Sequence, residues 1–300
     1  MELDEKAGGS MTGQLVASTL RVSTPLIFAA LGGMFCERSG VINIALEGIM
    51  LIGAFGAAVG TLVSHSPWLG SACGMGAGVV LAAIYGLFVI RLRANQIVAG
   101  MAINMLAMGL TPFFCKILYD VTGSTPSIPI TERFQSAPLY LSWGLVAICF
   151  LWMKYTPTGL WVNFAGEHPE ALAAAGIRVN RVRWMAVLVS GALAGMGGAS
   201  LSIFLSSSFS RDMTAGRGFM ALAALIFGKW KPLPTALACL LFGFADAVQI
   251  RLQGVALWGD QPIPVQFIQI LPYLVTILVL AGFVGHSRAP KALGTAFQEG

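Results

Sequence analysis

Eight stretches of this chain run for 16 to 24 residues with no more than two charged side chains in each: residues 14–35, 41–64, 67–90, 96–119, 138–153, 184–205, 233–252 and 263–284. A helix that crosses the hydrocarbon of a bilayer needs about 20 largely apolar residues, so each stretch reads as a membrane-spanning helix. The composition agrees. Of the 300 residues, 56% are hydrophobic and 10% are charged, whereas a soluble domain carries about a quarter charged residues. A chain so poor in charge cannot cover a water-facing surface. Its 36 glycines suit helices whose backbones approach closely. The pairs Gly56 with Gly60, Gly74 with Gly78, and Gly191 with Gly195 predict such contacts. The expected fold is all-α, a polytopic transmembrane helical bundle.

A ninth stretch, residues 218–228 (GFMALAALIFG), is apolar but too short for a regular crossing. It predicts either a half-helix or a span lengthened by irregular backbone, which a membrane protein tolerates only where protein buries it. Charge then orients the chain. With nine segments and the N-terminus outside, 11 of the 18 Lys and Arg fall in inside loops, 6 fall outside, and Arg21 lies within the first span. Cytoplasmic loops carry such an excess. Without the ninth segment, Lys229 and Lys231 move to the wrong side. The expected organisation is a short external tail (1–13), a transmembrane domain (14–284) with a long inside loop (155–183), and a cytoplasmic tail (285–300). The net charge of +5 belongs to these loops and does not mark a nucleic-acid surface.

Several chemistries are excluded. The cysteines Cys36, Cys73, Cys115, Cys149 and Cys239 are scattered, mostly inside apolar stretches, and read as small hydrophobes. His65, His168 and His286 lie in separate loops and share no metal-ligand spacing. Residues 1–10 (MELDEKAGGS) lack the basic region of a cleavable signal. No Walker A sequence is present, because Gly228 and Lys229 are followed by Trp230 and no glycine stands five residues before Gly228. HExxH and GxSxG motifs are also missing, so an intramembrane enzyme is not expected. An ATPase-independent secondary transporter or channel stays open as the reading from another class; such proteins tend to cluster intramembrane charges, whereas Glu47 and Asp246 stand far apart in sequence.

Loop 155–183 contains GEHPEALAAAG at residues 166–176, which predicts a short, sharply bounded helix. Pro169 suits a first helical position, and Glu167 and Glu170, flanking His168 and Pro169, suit a positive helix N-terminus. Leu172, Ala173, Ala174 and Ala175 follow, and Gly176 can adopt a left-handed stop. Alanines anchor poorly in lipid. A slim helix of this kind suits a protein groove, where it would act as a rigid peg.

Candidate residues for a solute pathway are the polar groups at membrane depth, which are costly there unless they face a cavity or pair internally. Glu47 lies in the second span, shortly after Asn43, and either lines the pathway or braces a helix break. Asp246 and Gln249 share a helix face at i, i+3 and suit either a polyhydroxylated solute or an inter-helix bond. Asn104 carries amide donors and acceptors suited to a ribose hydroxyl or a base edge, or to joining helices. Asn95 and Gln96 read as interface anchors. Trp258 and Phe267 read as interfacial aromatics.

Five segments together resemble a known group: ERSGVINIALEGIMLIGAF (37–55), NQIVAGMAINMLAMGLT (95–111), EALAAAGI (170–177), GRGFMALAALIFGKWKPL (216–233) and FGFADAVQIRLQ (242–253). The group is the ribose and branched-chain amino acid superfamily of ABC importer permeases, and within it the nucleoside and simple-sugar branch. The likeness runs from about residue 20 to about residue 290. It implies a permease without a cofactor of its own, passing solute by alternating access in the cell membrane. ATP and magnesium would bind a cytoplasmic ATPase partner. A second permease subunit, identical or not, and an external solute-binding protein would complete the system. The resemblance also implies that residues 166–176 form the coupling helix that docks into the ATPase. Ribose permeases carry an additional first helix; this chain is expected to lack it, in keeping with an outside N-terminus.

Overall fold

The computed structural model describes residues 5–252, the single positions 270, 274 and 277, and residues 288–297. Ten α-helices follow one another in the continuous part: α1 (Glu5–Arg38), α2 (Leu46–Ser64), α3 (Pro67–Gly86), α4 (Gln96–Tyr119), α5 (Ala137–Tyr155), α6 (Pro157–Glu167), α7 (Pro169–Ala174), α8 (Val179–Ser200), α9 (Arg217–Phe227) and α10 (Pro232–Leu252). No strand is formed among the described residues. Single π-helical turns, Leu87–Arg91 and Leu201–Leu205, extend α3 and α8.

Among the described residues, seven helical segments are long and apolar enough to cross a membrane, in α1, α2, α3, α4, α5, α8 and α10. Apart from the single positions 270, 274 and 277, the stretch expected at 263–284 lies outside the described residues, as do Trp258 and Phe267. Four boundaries differ from expectation, the first being α8, which starts at Val179 inside the expected 155–183 loop rather than at 184. Helix α1 already runs through residues 5–13, expected as a tail. Helix α2 starts at Leu46 and leaves 41–45 non-helical. Loop 155–183 holds two helices, because Pro169 cannot continue α6 and pushes His168 out of the helical region, to φ −145° and ψ 70°. Glu167 therefore ends α6 instead of opening the peg.

Helix α8 is the centre of the bundle. Of its most apolar stretch 83% is buried, against 22% for α5. The glycines explain the depth. A Cβ at Gly198 would stand 1.9 Å from the Met50 carbonyl oxygen of α2, and one at Gly195 would stand 2.5 Å from the Gly74 carbonyl oxygen of α3. Backbone lies on backbone there, and only glycine permits it. The periphery has the opposite character. Val80, Met105, Phe113, Ile117, Ile148, Leu151 and Phe244 are exposed, an apolar coat that fits lipid rather than water.

Helix α8 runs away from the α6–α7 loop (the loop end) to the far end, and α10 starts again at the loop end. Segment 206–216 and α9 make the return. The irregular part is held by the 120–136 loop, with Thr125 N–H donating to Phe209 O at 3.1 Å, Ile128 N–H to Ser207 O at 2.6 Å and Arg211 N–H to Gly123 O at 2.7 Å. Thr125, Ile128, Phe134 and Phe209 are buried in the process. Residues 292–295 lie back at the loop end, where Ala292 N–H donates to Gly166 O at 2.8 Å and Gly294 N–H to Gly40 O at 3.0 Å.

Candidate functional site

Helix α1 stops at Arg38 because Gly40 turns the chain at φ +92°. Non-helical backbone follows inside the bundle, and its polar groups need partners. Side chains from three other helices supply them. Gln96 Oε1 accepts from Ile42 N–H at 2.7 Å, and the Tyr85 hydroxyl donates to Ile42 O. Asn43 Nδ2 donates to Ser190 Oγ at 2.8 Å. Asn104 does two things at once: its Nδ2 donates to Ile44 O at 3.0 Å and its Oδ1 accepts from Gly48 N–H at 2.8 Å. Gly48 lies in the first turn of α2, whose N-cap residue, Ala45, has no side chain to offer. Asn104 thus caps α2 from α4, satisfying a donor that every helix start leaves free.

The half-helix α9 is capped in the same borrowed way. Gly216 turns the chain at φ +83°, and the Glu47 carboxylate accepts from Gly216 N–H at 2.8 Å and from Gly218 N–H at 2.6 Å. A negative group on the free N–H ends of a helix is favoured by hydrogen bonding and by the helix dipole. Position 218 has no room for a side chain, since a Cβ would stand 2.5 Å from the Glu47 backbone nitrogen. Between the two glycines Arg217 turns toward α10, where its Nη2 lies 3.9 Å from Asp246 Oδ2. Its Nη1 donates to Met213 O at 3.2 Å, and its Nε is buried without a partner.

The sequence candidates are therefore brought together in part. Asn104 and Glu47 meet at the first turn of α2, and Asp246 joins through Arg217. Asn43 is fully buried, bonded to α8. Gln249 is half-buried and takes no part in these bonds. Arg217, Tyr85 and Ser190 were not among the candidates. For Arg217 a signal was available, because an arginine between two glycines at the mouth of an apolar stretch is costly at membrane depth. Tyr85 and Ser190 gave none.

At the loop end α7 is a single exposed turn and a half. Pro169 takes the first helical position, and Gly176 ends it at φ +78°, with Gly176 N–H donating to Ala173 O at 2.9 Å and Ile177 N–H to Leu172 O at 3.2 Å. Leu172 is 4% exposed and packs on Val162, Ala165, Val179 and Val182. Glu170, Ala173, Ala174 and Ala175 face outward. A polar groove of about 480 Å³ separates α7 from residues 291–297 and is lined by Glu167, His168, Pro169, Glu170, Lys291 and Phe297, among others.

Discontinuous helices that bring charged and amide groups to the interior of a membrane bundle are how solute-transporting membrane proteins are constructed. Residues 15–280 match the branched-chain amino acid transport system / permease component family, and the chain belongs to it. It is a multi-pass protein of the cell membrane and a transport component rather than an enzyme, as its resemblance to this superfamily implied. The guanosine ABC transporter permease protein NupQ of Bacillus subtilis is 39% identical over 310 residues, covering 95% of this chain and 97% of its own. The nucleoside ABC transporter permease protein NupC of Lactococcus lactis is 36% identical over 306 residues, covering 94% and 96%. TsgC13 of Haloferax volcanii, named for glucose, is 33% identical over 302 residues, covering 91% and 92%.

Proposed function

We propose that this chain is the transmembrane permease subunit of an ATP-driven ABC importer and that its solute is a nucleoside. The carrying observation is near-full-length similarity, at 39% and 36% identity, to two permeases named for guanosine and for nucleosides. A simple sugar is the second reading, and TsgC13 favours it at 33%.

Peg α7 is the coupling helix in this reading, and ATP and magnesium bind an ATPase subunit at the loop end. The loop end carries Arg91, Arg93, Lys154, Arg178, Arg181, Lys229 and Lys231, which supports a cytoplasmic assignment by the positive-inside rule. Nine segments, with the N-terminus outside and the C-terminus inside, complete the topology. Segment 206–216 with α9 supplies one of them, and the described residues flanking 253–287 lie at opposite ends of the bundle. Two permeases named for guanosine in Bacillus subtilis match this chain, at 39% and 25%, which supports a partnership of two non-identical permeases. An external binding protein delivers the solute.

The test is uptake into vesicles holding the chain with its partner permease, the ATPase and the binding protein. Labelled guanosine, ribose and glucose are offered with and without ATP. ATP-dependent guanosine entry is the expected outcome. Entry of ribose or glucose in its place would overturn the nucleoside assignment, and ATP-independent entry would overturn the importer.

A further inference from the structure

We infer that Trp230 and the Glu37–Arg38 pair are positioning residues that fasten the half-helix α9 to the coupling loop, so that movement at α7 reaches the Glu47 cap. The inference rests on the reading of α7 as the coupling helix.

The turn after α9 is built to present Trp230. Lys229 and Trp230 are consecutive non-glycine residues in the left-handed region, at φ +52° and +54°. Such residues persist only where their surroundings hold them. Trp230 is 5% exposed and is gripped at two points by the last turn of α1. Its indole Nε1 donates to Glu37 Oε2 at 2.6 Å, and its carbonyl oxygen accepts from Arg38 Nε at 2.9 Å.

The same turn of α1 abuts the coupling loop. A Cβ at Gly166, in α6, would stand 2.3 Å from the Arg38 carbonyl oxygen, and one at Gly40 would stand 3.3 Å from the Ala165 carbonyl oxygen. Arg183 of α8 donates through Nε to Ser39 O at 3.1 Å. Nothing soft separates α6 from Arg38 or Arg38 from Trp230. At its other end α9 is held by Glu47 and by the Arg217–Asp246 pair. An 11-residue helix is a stiff rod about 16 Å long. Held by directional bonds at both ends, it carries displacement from one to the other.

The test uses the complete complex in vesicles and reads three quantities: ATPase co-purification, ATP hydrolysis and solute uptake per ATP. Trp230→Phe keeps an aromatic ring and removes the indole donor. Glu37→Leu removes the acceptor, and Glu37→Gln keeps one. Trp230→Phe and Glu37→Leu are expected to leave co-purification and hydrolysis intact and to lower uptake per ATP about tenfold, the size of one hydrogen bond. Combining them should cost no more than either alone, because one bond is lost in each case. Glu37→Gln should restore most of the uptake. Unchanged uptake in Trp230→Phe would overturn the inference. So would a parallel loss of hydrolysis and uptake with an unchanged ratio, which is the mark of a merely structural role. A wild-type chain that fails to co-purify with the ATPase would overturn both the inference and the reading of α7 beneath it.

Discussion

Replacing Glu47 with alanine removes both acceptors that hold the start of α9, at 2.8 and 2.6 Å. Gly218 is buried and Gly216 half-buried, so the two orphaned N–H groups are not equal. A buried donor without a partner costs about 1–3 kcal/mol. Taking the upper part of that range for Gly218 and the lower for Gly216 gives about 3–4 kcal/mol for Glu47→Ala. The loss falls on α9, whose N–H groups are orphaned, and not on the interlocked α3 and α8, which share none of these bonds. Glu47→Gln offers one oxygen and turns an NH₂ toward the other donor, so about half the loss should return. Hydrogen exchange read by mass spectrometry in detergent resolves the two regions. Amides of residues 219–227 are expected to exchange at least about a hundredfold faster in Glu47→Ala, while those of α8 stay as they were. Equal acceleration in α8, or none in α9, would refute the cap.

Other perturbations test other parts of the architecture. Gly198→Ala drives a Cβ against the Met50 carbonyl oxygen, 1.9 Å away with the backbone unmoved. It is expected to cost about 3 kcal/mol or more by overpacking, seen as a lower melting temperature on heated size-exclusion chromatography. Arg217→Met leaves Asp246 buried without its cation and should destabilise by about 3 kcal/mol, whereas Arg217→Met with Asp246→Leu should recover most of that loss in the same assay. Glu170→Arg, or proline at Ala173, should abolish ATP-dependent uptake while the protein still reaches the membrane. Normal uptake by either variant removes α7 from the coupling role.

How far the sequence could be read depended on how local each feature is. The crossings were legible because a run of about 20 apolar residues needs no partner to declare itself. The peg was legible because Pro169 and Gly176 act through their own backbones. The break at 41–45 was not, since VINIA is as apolar as the helices on either side. Its irregular backbone is tolerable only because Gln96 and Asn104 arrive from 54 and 60 positions away. The cap on α9 comes from 169 positions away, beyond any local pattern. Glu47 and Asn104 stood out as polar residues at membrane depth, but their partners could not be named. Arg217 was one of the six basic residues that the nine-segment topology places outside, and its pairing with Asp246 appears only once α9 and α10 are packed together.

The bonds from residues 292–295 to Gly40 and Gly166 bear on biogenesis. A ribosome releases the N-terminal part first, so the turn after α1 is made long before the segment that fastens it exists. Until then Gly40 O and Gly166 O lack these donors, and Arg183 Nη1 lacks Thr295 O, which it meets at 2.7 Å. The loop end is thus closed by a segment made after α1, α6 and α8. A product cut short before residue 292 would keep its apolar crossings and still present an unfastened loop to the quality-control machinery.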